Sequence, residues 1–125
     1  MLLKLFWLGL AGAAGTLSRY GLAGLVQRLG GAGFPWGTVA VNVAGCFLAG
    51  TFWAFSADRI ALSGQVRTLV LVGYLGGFTT FSAFILETGH LAGQSQWLRA
   101  CGNIAIQNVV GVLALFLGMA TGRLL

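Results

Sequence analysis

Four apolar segments, each about as long as a bilayer core is thick, dominate this chain and limit what it can fold into. A membrane-spanning helix needs about 20 mostly apolar residues. The segments that meet this length cover about residues 3–26, 37–57, 68–91 and 98–122. The connectors between them are short, so residues 1–125 leave no room for a soluble domain. The sequence therefore predicts an all-α membrane protein, a single domain of four transmembrane helices.

The composition favours lipid over water as the surroundings of the folded chain. Hydrophobic residues make up 58% of the chain and charged residues 7%, whereas a soluble domain carries about 25% charged residues. The seven Lys and Arg residues are scattered singly, so no cluster could neutralise several phosphates. We therefore expect a lipid bilayer and no nucleic acid as a partner. No nucleophile–base pair and no phosphate-binding loop stand out, so the chain is not predicted to be an enzyme.

The positive charges give only a weak preference for one membrane orientation. With four spans, both ends of the chain share a side with the second connector. That side holds four basic residues and the other side two: Lys4, Arg59, Arg67 and Arg123 against Arg28 and Arg99. Lys and Arg in short loops set orientation, so a small difference permits insertion both ways round. Two opposed copies could then pair antiparallel and form the inverted symmetry that larger transporters encode as repeats.

The third segment contains the stretch GGFTTFSAF at residues 76–84, which is unusual inside a membrane helix. Its glycines and hydroxyl residues favour a break in the helix near the middle of the segment. A break frees backbone carbonyl groups, which are tolerated at this depth only where protein or a cavity satisfies them. Freed carbonyl groups suit a small hard cation such as Na⁺.

The aromatic rings of this stretch allow two interpretations. Phe78, Phe81 and Phe84 recur at three-residue spacing, so we expect them to share one helix face. The edge of an aromatic ring is electropositive and can face an anion without a full positive charge that would trap it. An ordinary aromatic packing stripe explains the same spacing, and periodicity alone favours that alternative.

Polar side chains at membrane depth are costly and mark candidate functional positions. Asn42 is either an interhelical hydrogen-bonding residue or an anion ligand that presents its N–H donors. In the fourth segment Asn103 lies one turn before Gln107, so these two share a face. Asn108 points about 100° away from Gln107, so the two neighbours cannot both face one pore.

Two ionisable residues within the segments also have two interpretations each. Arg19 either extends its side chain to the membrane interface or lines an entrance vestibule. Glu87 lies toward the end of the third segment, where it either supports proton-coupled transport or is an interfacial carboxylate.

Two motifs on four short spans resemble the Fluc (CrcB) family of fluoride channels. They are GTVAVN at residues 37–42 and GGFTTFSAF at residues 76–84, where TTFS-x-F is followed three residues later by Glu87. The resemblance covers nearly the whole chain. It implies an antiparallel, dual-topology homodimer in the cytoplasmic (inner) membrane. Each dimer would have two pores that pass fluoride passively and relieve its toxicity.

The resemblance also implies roles for individual residues. Asn42 matches the pore asparagine, and Phe81 and Phe84 match the phenylalanines whose ring edges line the fluoride path. Thr80 and Ser82 match the neighbouring hydroxyl positions. The remaining matches are a vestibule arginine and two residues whose carbonyl groups bind a structural Na⁺ at the dimer axis: Arg19, Gly76 and Thr79.

The chain departs from the family pattern in the third and fourth segments. Family members commonly have Ser or Thr where this chain has Ala83 and Ile85, and often a Gly-Ser pair where it has Gly111 and Val112. A replacement polar track would use fourth-segment carboxamides, with three candidates: Asn103, Gln107 and Asn108.

Two other functions compete with the channel at this stage. A small proton-coupled multidrug exporter can also have four spans and dual topology, and Glu87 is its only candidate carboxylate within the spans. A membrane scaffold or assembly subunit that transports nothing is the third candidate, but it would not require Asn42 or the TTFS motif.

Overall fold

The chain folds into helices joined by short connectors, as described by a computed structural model for residues 1–58 and 62–125. The elements are α1 (Leu2–Gly30), α2 (Trp36–Asp58), α3 (Gly64–Arg67), a π-helical segment (Thr68–Tyr74), α4 (Leu75–Phe78), α5 (Phe81–Gly93) and α6 (Trp97–Leu124). No strand occurs in the described residues, so the all-α prediction is confirmed. Arg59, which contributed to the charge comparison, lies outside them.

Three helical stretches in the described part of the chain are long and apolar enough to cross a membrane. They cover Trp36–Ala57, Gly64–Gly93 and Trp97–Leu124. The first predicted segment lies on α1, which is 29 residues long but is not in this set. It is less apolar because Ser18 and Arg19 interrupt its middle.

Helices α2 and α6 form the most extensive helix pair in the structure. Their backbones approach closely through Gly50, Gly118 and Gly122, where an added Cβ atom would overlap a carbonyl oxygen of the facing helix. Small residues allow such close approach in lipid, where van der Waals packing and interhelical hydrogen bonds replace the hydrophobic effect as the driving force. This contact fixes the face of α2 that carries Asn42 against α6.

Helix α1 packs in the same way against the π-helical segment and α4. A Cβ atom at Gly15 would overlap the Tyr74 carbonyl oxygen, and one at Gly77 would lie 2.5 Å from the Gly12 oxygen. The helix therefore holds residues just before the extended connection between α4 and α5. The outward surface is largely apolar, with exposed side chains on α1, α5 and α6 that include Leu17, Leu86 and Phe116.

The α2–α6 contact yields a matched pair of glycine variants. A Gly118→Ala change puts a methyl group where the Phe47 carbonyl oxygen lies, whereas the Cβ of Gly102→Ala meets no atom within 4 Å. Overpacking of this kind costs about 1–3 kcal/mol. We expect a lower thermal unfolding temperature in detergent for Gly118→Ala and little change for Gly102→Ala. Equal unfolding temperatures for the two variants would contradict the packing described here.

Candidate functional site

The connection between α4 and α5 is a two-residue extended segment. Thr79 has φ −87° and ψ 161°, and Thr80 has φ −151° and ψ 118°. Helix α5 begins at Phe81, and the Thr80 hydroxyl accepts a hydrogen bond of 3.2 Å from the Ala83 N–H. This is a standard N-cap arrangement, since a threonine oxygen satisfies one of the first N–H groups of a helix. The carbonyl end of α4 and the N–H end of α5 thus meet at Thr79 and Thr80.

Asn42 on α2 binds both peptide groups of Thr80. The Thr80 N–H donates to the Asn42 Oδ1 atom at 2.8 Å, and Asn42 Nδ2 donates to the Thr80 carbonyl oxygen at 2.9 Å. The carboxamide therefore replaces the helical partners that Thr80 lacks. Gly45 lies less than one turn further along α2 and leaves room for the Thr79 methyl group. A Cβ atom at position 45 would overlap that methyl group.

This pairing frees the carbonyl group of Gly76. In a continuous helix the Thr80 N–H would donate to Gly76, but here it donates to Asn42. The N–H and the hydroxyl of Thr79 both donate to the Leu75 carbonyl, each at 2.9 Å. Oxygen atoms from the backbone are suitable ligands for hard cations. The residues here therefore fit a cation held by backbone carbonyl groups. Among the described residues, no cluster of three acidic, His or Cys side chains offers an alternative metal site.

A row of carboxamides connects Asn42 to α6 and back to α5. Asn42 Nδ2 also donates to Gln107 Oε1 at 2.6 Å, and Gln107 Nε2 donates to Asn103 Oδ1 at 2.9 Å. Asn103 Nδ2 donates to Thr88 Oγ1 at 2.9 Å, and Thr88 Oγ1 donates to the Phe84 carbonyl at 2.7 Å. We call Asn42, Gln107, Asn103 and Thr88 the amide chain. Gln107 and Asn103 are buried, with 8% and 0% of their surface exposed.

The structure brings two of the three predicted fourth-segment candidates together. Asn103 and Gln107 belong to the amide chain, whereas Asn108 is exposed and donates to the Ile104 carbonyl of its own helix at 2.7 Å. Thr88 was missed by the sequence reasoning. Its signal in the sequence was a hydroxyl residue at membrane depth, directly after Glu87.

The three phenylalanines do not share one face, so that expectation was wrong. The helix ends between Phe78 and Phe81, which removes the regular spacing on which the expectation depended. Phe78 is buried in the core and stacks on Tyr74 with ring centroids 6.0 Å apart. Phe81 is 74% exposed and Phe84 is buried, and their rings meet edge-on at 5.6 Å.

Two open cavities lie against the extended connection. One has a volume of about 390 Å³ and is lined by Asn42, Gly76, Thr79, Thr80 and Phe81, among others. The other, of about 340 Å³, is lined by residues that include Arg19, Thr38, Thr80 and Ala83. Thr80 therefore contacts both cavities.

Ser82 and Arg19 lie at the edges of this region. Ser82 is exposed, and its Oγ atom lies 3.4 Å from the Thr80 hydroxyl oxygen. Arg19 lines the second cavity and, in the part of the chain that the structure describes, is its only positively charged residue.

Glu87 lies apart from the extended connection, about two turns into α5. The Thr38 hydroxyl donates to Glu87 Oε1 at 2.6 Å. The other carboxylate oxygen, Oε2, is buried and has no hydrogen-bond partner among the described residues. Glu87 and His90 line a cavity of about 530 Å³ below the α1–α2 connector.

Comparisons with known proteins connect this geometry to one family. The family model described as "CrcB-like protein, Camphor Resistance (CrcB)" matches residues 6–119. A protein of Desulforapulum autotrophicum named "Fluoride-specific ion channel FluC" is 52% identical over 98% of both chains. Proteins with the same name from Nitrosococcus oceani and Solidesulfovibrio magneticus are 48% and 49% identical, over 98% and 100% of both chains. This chain therefore belongs to the CrcB family.

Proposed function

We propose that this protein is a passive, selective fluoride channel of the cytoplasmic membrane, which lets fluoride leave the cell and relieves its toxicity. The observation that carries the proposal is the pairing of Asn42 with Thr80. It holds neutral hydrogen-bond donors and the rings of Phe81 and Phe84 around one opened stretch of helix. The relatives named fluoride-specific ion channels support the identity of the ion.

The chemistry of these side chains suits a small anion that must not be bound too tightly. Fluoride holds its hydration shell strongly, so a pore has to replace water with hydrogen-bond donors. Conduction also requires that the ion can leave each site. The carboxamide of Asn42, the hydroxyls of Thr80 and Ser82, and the electropositive ring edges of Phe81 and Phe84 supply donors without a full charge.

Charged and dipolar groups near the opening add a favourable potential for anions. The N-terminal end of α5 carries the positive end of the helix dipole and begins at Phe81. Arg19 lines the cavity on the other side of Thr80. A guanidinium at a cavity mouth raises the local anion concentration, and we assign Arg19 to the vestibule for this reason.

The functional unit in this proposal is an antiparallel homodimer with two pores. Helix α1 forms a fourth span, and the weak charge bias permits both orientations. The exposed ring of Phe81 and the open cavity beside Thr79 support pairing with a second copy at this face. The carbonyl groups of Gly76 and Thr79 would hold a Na⁺ ion on the dimer axis, which adds a fixed positive charge beside the anion paths.

One observation favours the alternative of a proton-coupled multidrug exporter. The second oxygen of Glu87 is buried without a hydrogen-bond partner in the described part of the chain, as expected for a carboxylate that exchanges protons. However, Glu87 lies midway along α5 and lines a cavity whose described lining includes neither Asn42 nor Phe81. The channel therefore explains more of the buried polar residues than the exporter does.

Ion flux from proteoliposomes distinguishes the channel from the exporter. We expect fluoride to leave wild-type vesicles down its own gradient, at a rate that an imposed proton gradient does not change, while chloride is retained. Neutral donors and ring edges line the proposed path, so no protonation step is needed. Transport of an organic cation that depends on the proton gradient and is lost in Glu87→Gln would overturn the channel in favour of the exporter.

The ring-edge role of Phe81 has its own test. Phe81→Ile keeps an apolar side chain but removes the electropositive edge, and we expect fluoride efflux to fall by roughly tenfold or more, equivalent to about 1.4 kcal/mol on the barrier. Phe116→Ile is the matched control because that ring is also exposed, 62% by area, but lies on α6. Size-exclusion chromatography checks that both variants assemble as the wild type does. Equal efflux from the two variants would remove Phe81 from the ion path.

A further inference from the structure

Every hydrogen bond along the amide chain donates in the same direction. Asn42 donates to Gln107, Gln107 to Asn103, Asn103 to Thr88, and Thr88 to the Phe84 carbonyl. At the other end, Asn42 both accepts from and donates to Thr80. No charged group takes part. The amide chain therefore has a polarity. At the Asn42 end, Gln107 presents its carbonyl oxygen to the Asn42 NH₂ group.

This polarity leaves no N–H group of Asn42 for an anion. Its Nδ2 atom carries two hydrogens, one donated to the Thr80 carbonyl and one to Gln107 Oε1. The Gln107 oxygen also carries partial negative charge and would repel an anion that approaches Asn42. An anion gains one of these N–H groups by taking the place of either the Thr80 carbonyl or the Gln107 oxygen. The Thr80 carbonyl is held by a reciprocal pair of hydrogen bonds, so the Gln107 oxygen is the acceptor that can leave without opening that pair.

The last three members of the amide chain can reverse their polarity together. A carboxamide exchanges its oxygen and NH₂ by a half-turn of its terminal torsion, and a hydroxyl both donates and accepts. After reversal, Gln107 presents an N–H toward Asn42, Asn103 donates to Gln107 Oε1, and Thr88 donates to Asn103 Oδ1. The Phe84 carbonyl keeps its ordinary helical partner, the Thr88 N–H, because both residues lie within α5.

Burial makes these two carboxamides unusual. Gln107 and Asn103 each have two N–H groups, but only one acceptor is bonded to each amide nitrogen among the described residues. Buried donors without a partner cost about 1–3 kcal/mol. Each side chain thus holds one further N–H that a ligand with acceptor character could satisfy.

We propose that the amide chain is a polarity switch in which Gln107 determines anion specificity. Without fluoride, the Gln107 oxygen occupies the N–H of Asn42 that an anion would need. When fluoride binds there, the Gln107 carboxamide turns over and becomes a second N–H donor to the ion. Asn103 then turns over as well, and the Thr88 hydroxyl changes from acceptor to donor toward it. An ion must be a strong acceptor to displace the Asn42–Gln107 bond, which favours fluoride over chloride. The inference rests on the proposed fluoride channel and deepens it.

Two replacements of Gln107 separate its roles as acceptor and donor. Gln107→Glu retains an acceptor but has no N–H to present, so we expect fluoride efflux to fall at least about tenfold. Gln107→Met has similar length and no polar atom. This variant leaves one Asn42 N–H without a protein acceptor, so fluoride still passes. The ratio of fluoride efflux to chloride efflux is expected to fall about tenfold, the effect of one lost hydrogen bond.

The control for both variants is Asn108→Leu. Asn108 is the neighbouring carboxamide, but it is exposed and bonded within its own helix, so efflux and ion selectivity are expected to match the wild type. Wild-type efflux without chloride leakage in all three variants would overturn the switch and leave the channel standing. Absence of fluoride efflux from the wild type would overturn the channel itself.

A spectroscopic titration tests the switch in the wild-type protein, where folding of a variant is not a concern. We expect the side-chain amide NMR signals of Asn42, Gln107 and Asn103 to shift along one binding curve as fluoride is added, and not with chloride at equal ionic strength. The Asn108 signal should stay in place. A Gln107 signal that does not respond to saturating fluoride, while efflux is intact, would contradict the proposal.

The hydroxyl at the end of the amide chain provides a conservative rescue. Thr88→Val removes the donor that Asn103 needs after reversal, so the Asn103 signal is expected to respond less to fluoride and efflux to fall. Thr88→Ser keeps the hydroxyl and should restore both. Equal behaviour of the Val and Ser variants would show that the reversal does not reach Thr88.

Discussion

The reciprocal hydrogen bonds between Asn42 and Thr80 are the interaction on which the remaining arrangement depends. Unsatisfied peptide groups at membrane depth cost several kcal/mol each, and here one carboxamide satisfies both groups of Thr80. Because Thr80 is satisfied from outside its own helix, α4 can end and α5 can begin anew within one membrane-length stretch. The free carbonyl of Gly76, the exposed ring of Phe81 and the N-terminal end of α5 all follow from this.

Close helix packing determines whether Asn42 can make these contacts. Glycines bring α2 against α6, and α1 against the π-helical segment and α4, so closely that a single methyl group would overlap a carbonyl oxygen at several positions. Asn42 is consequently held between the extended connection and Gln107. The same packing buries Asn103 and Gln107 and leaves the second N–H of each without an acceptor among the described residues.

The sequence predicts part of this site because some of its determinants are local. Glycines next to hydroxyl residues in an apolar segment weaken a helix, and the extended Thr79 and Thr80 lie within that stretch. Asn42 is recognisable because an amide at membrane depth needs a partner. The partner itself is a tertiary feature, so the link from Asn42 to Gln107 and on to Thr88 could not be read from the sequence. The prediction that Phe78 shares a face with Phe81 and Phe84 was wrong because the spacing argument assumes one continuous helix. Helix α1 is long enough to span a membrane but is less apolar than the other three stretches.

Hydrogen–deuterium exchange at the Thr80 amide tests most directly whether Asn42 holds the connection between α4 and α5. In the wild type this N–H donates to Asn42 Oδ1, so slow exchange is expected. Asn42→Leu removes the acceptor at similar size, and the exchange of Thr80 should become about tenfold faster or more, as expected for the loss of about 1.4 kcal/mol of protection. An unchanged Thr80 exchange rate in Asn42→Leu would contradict the account.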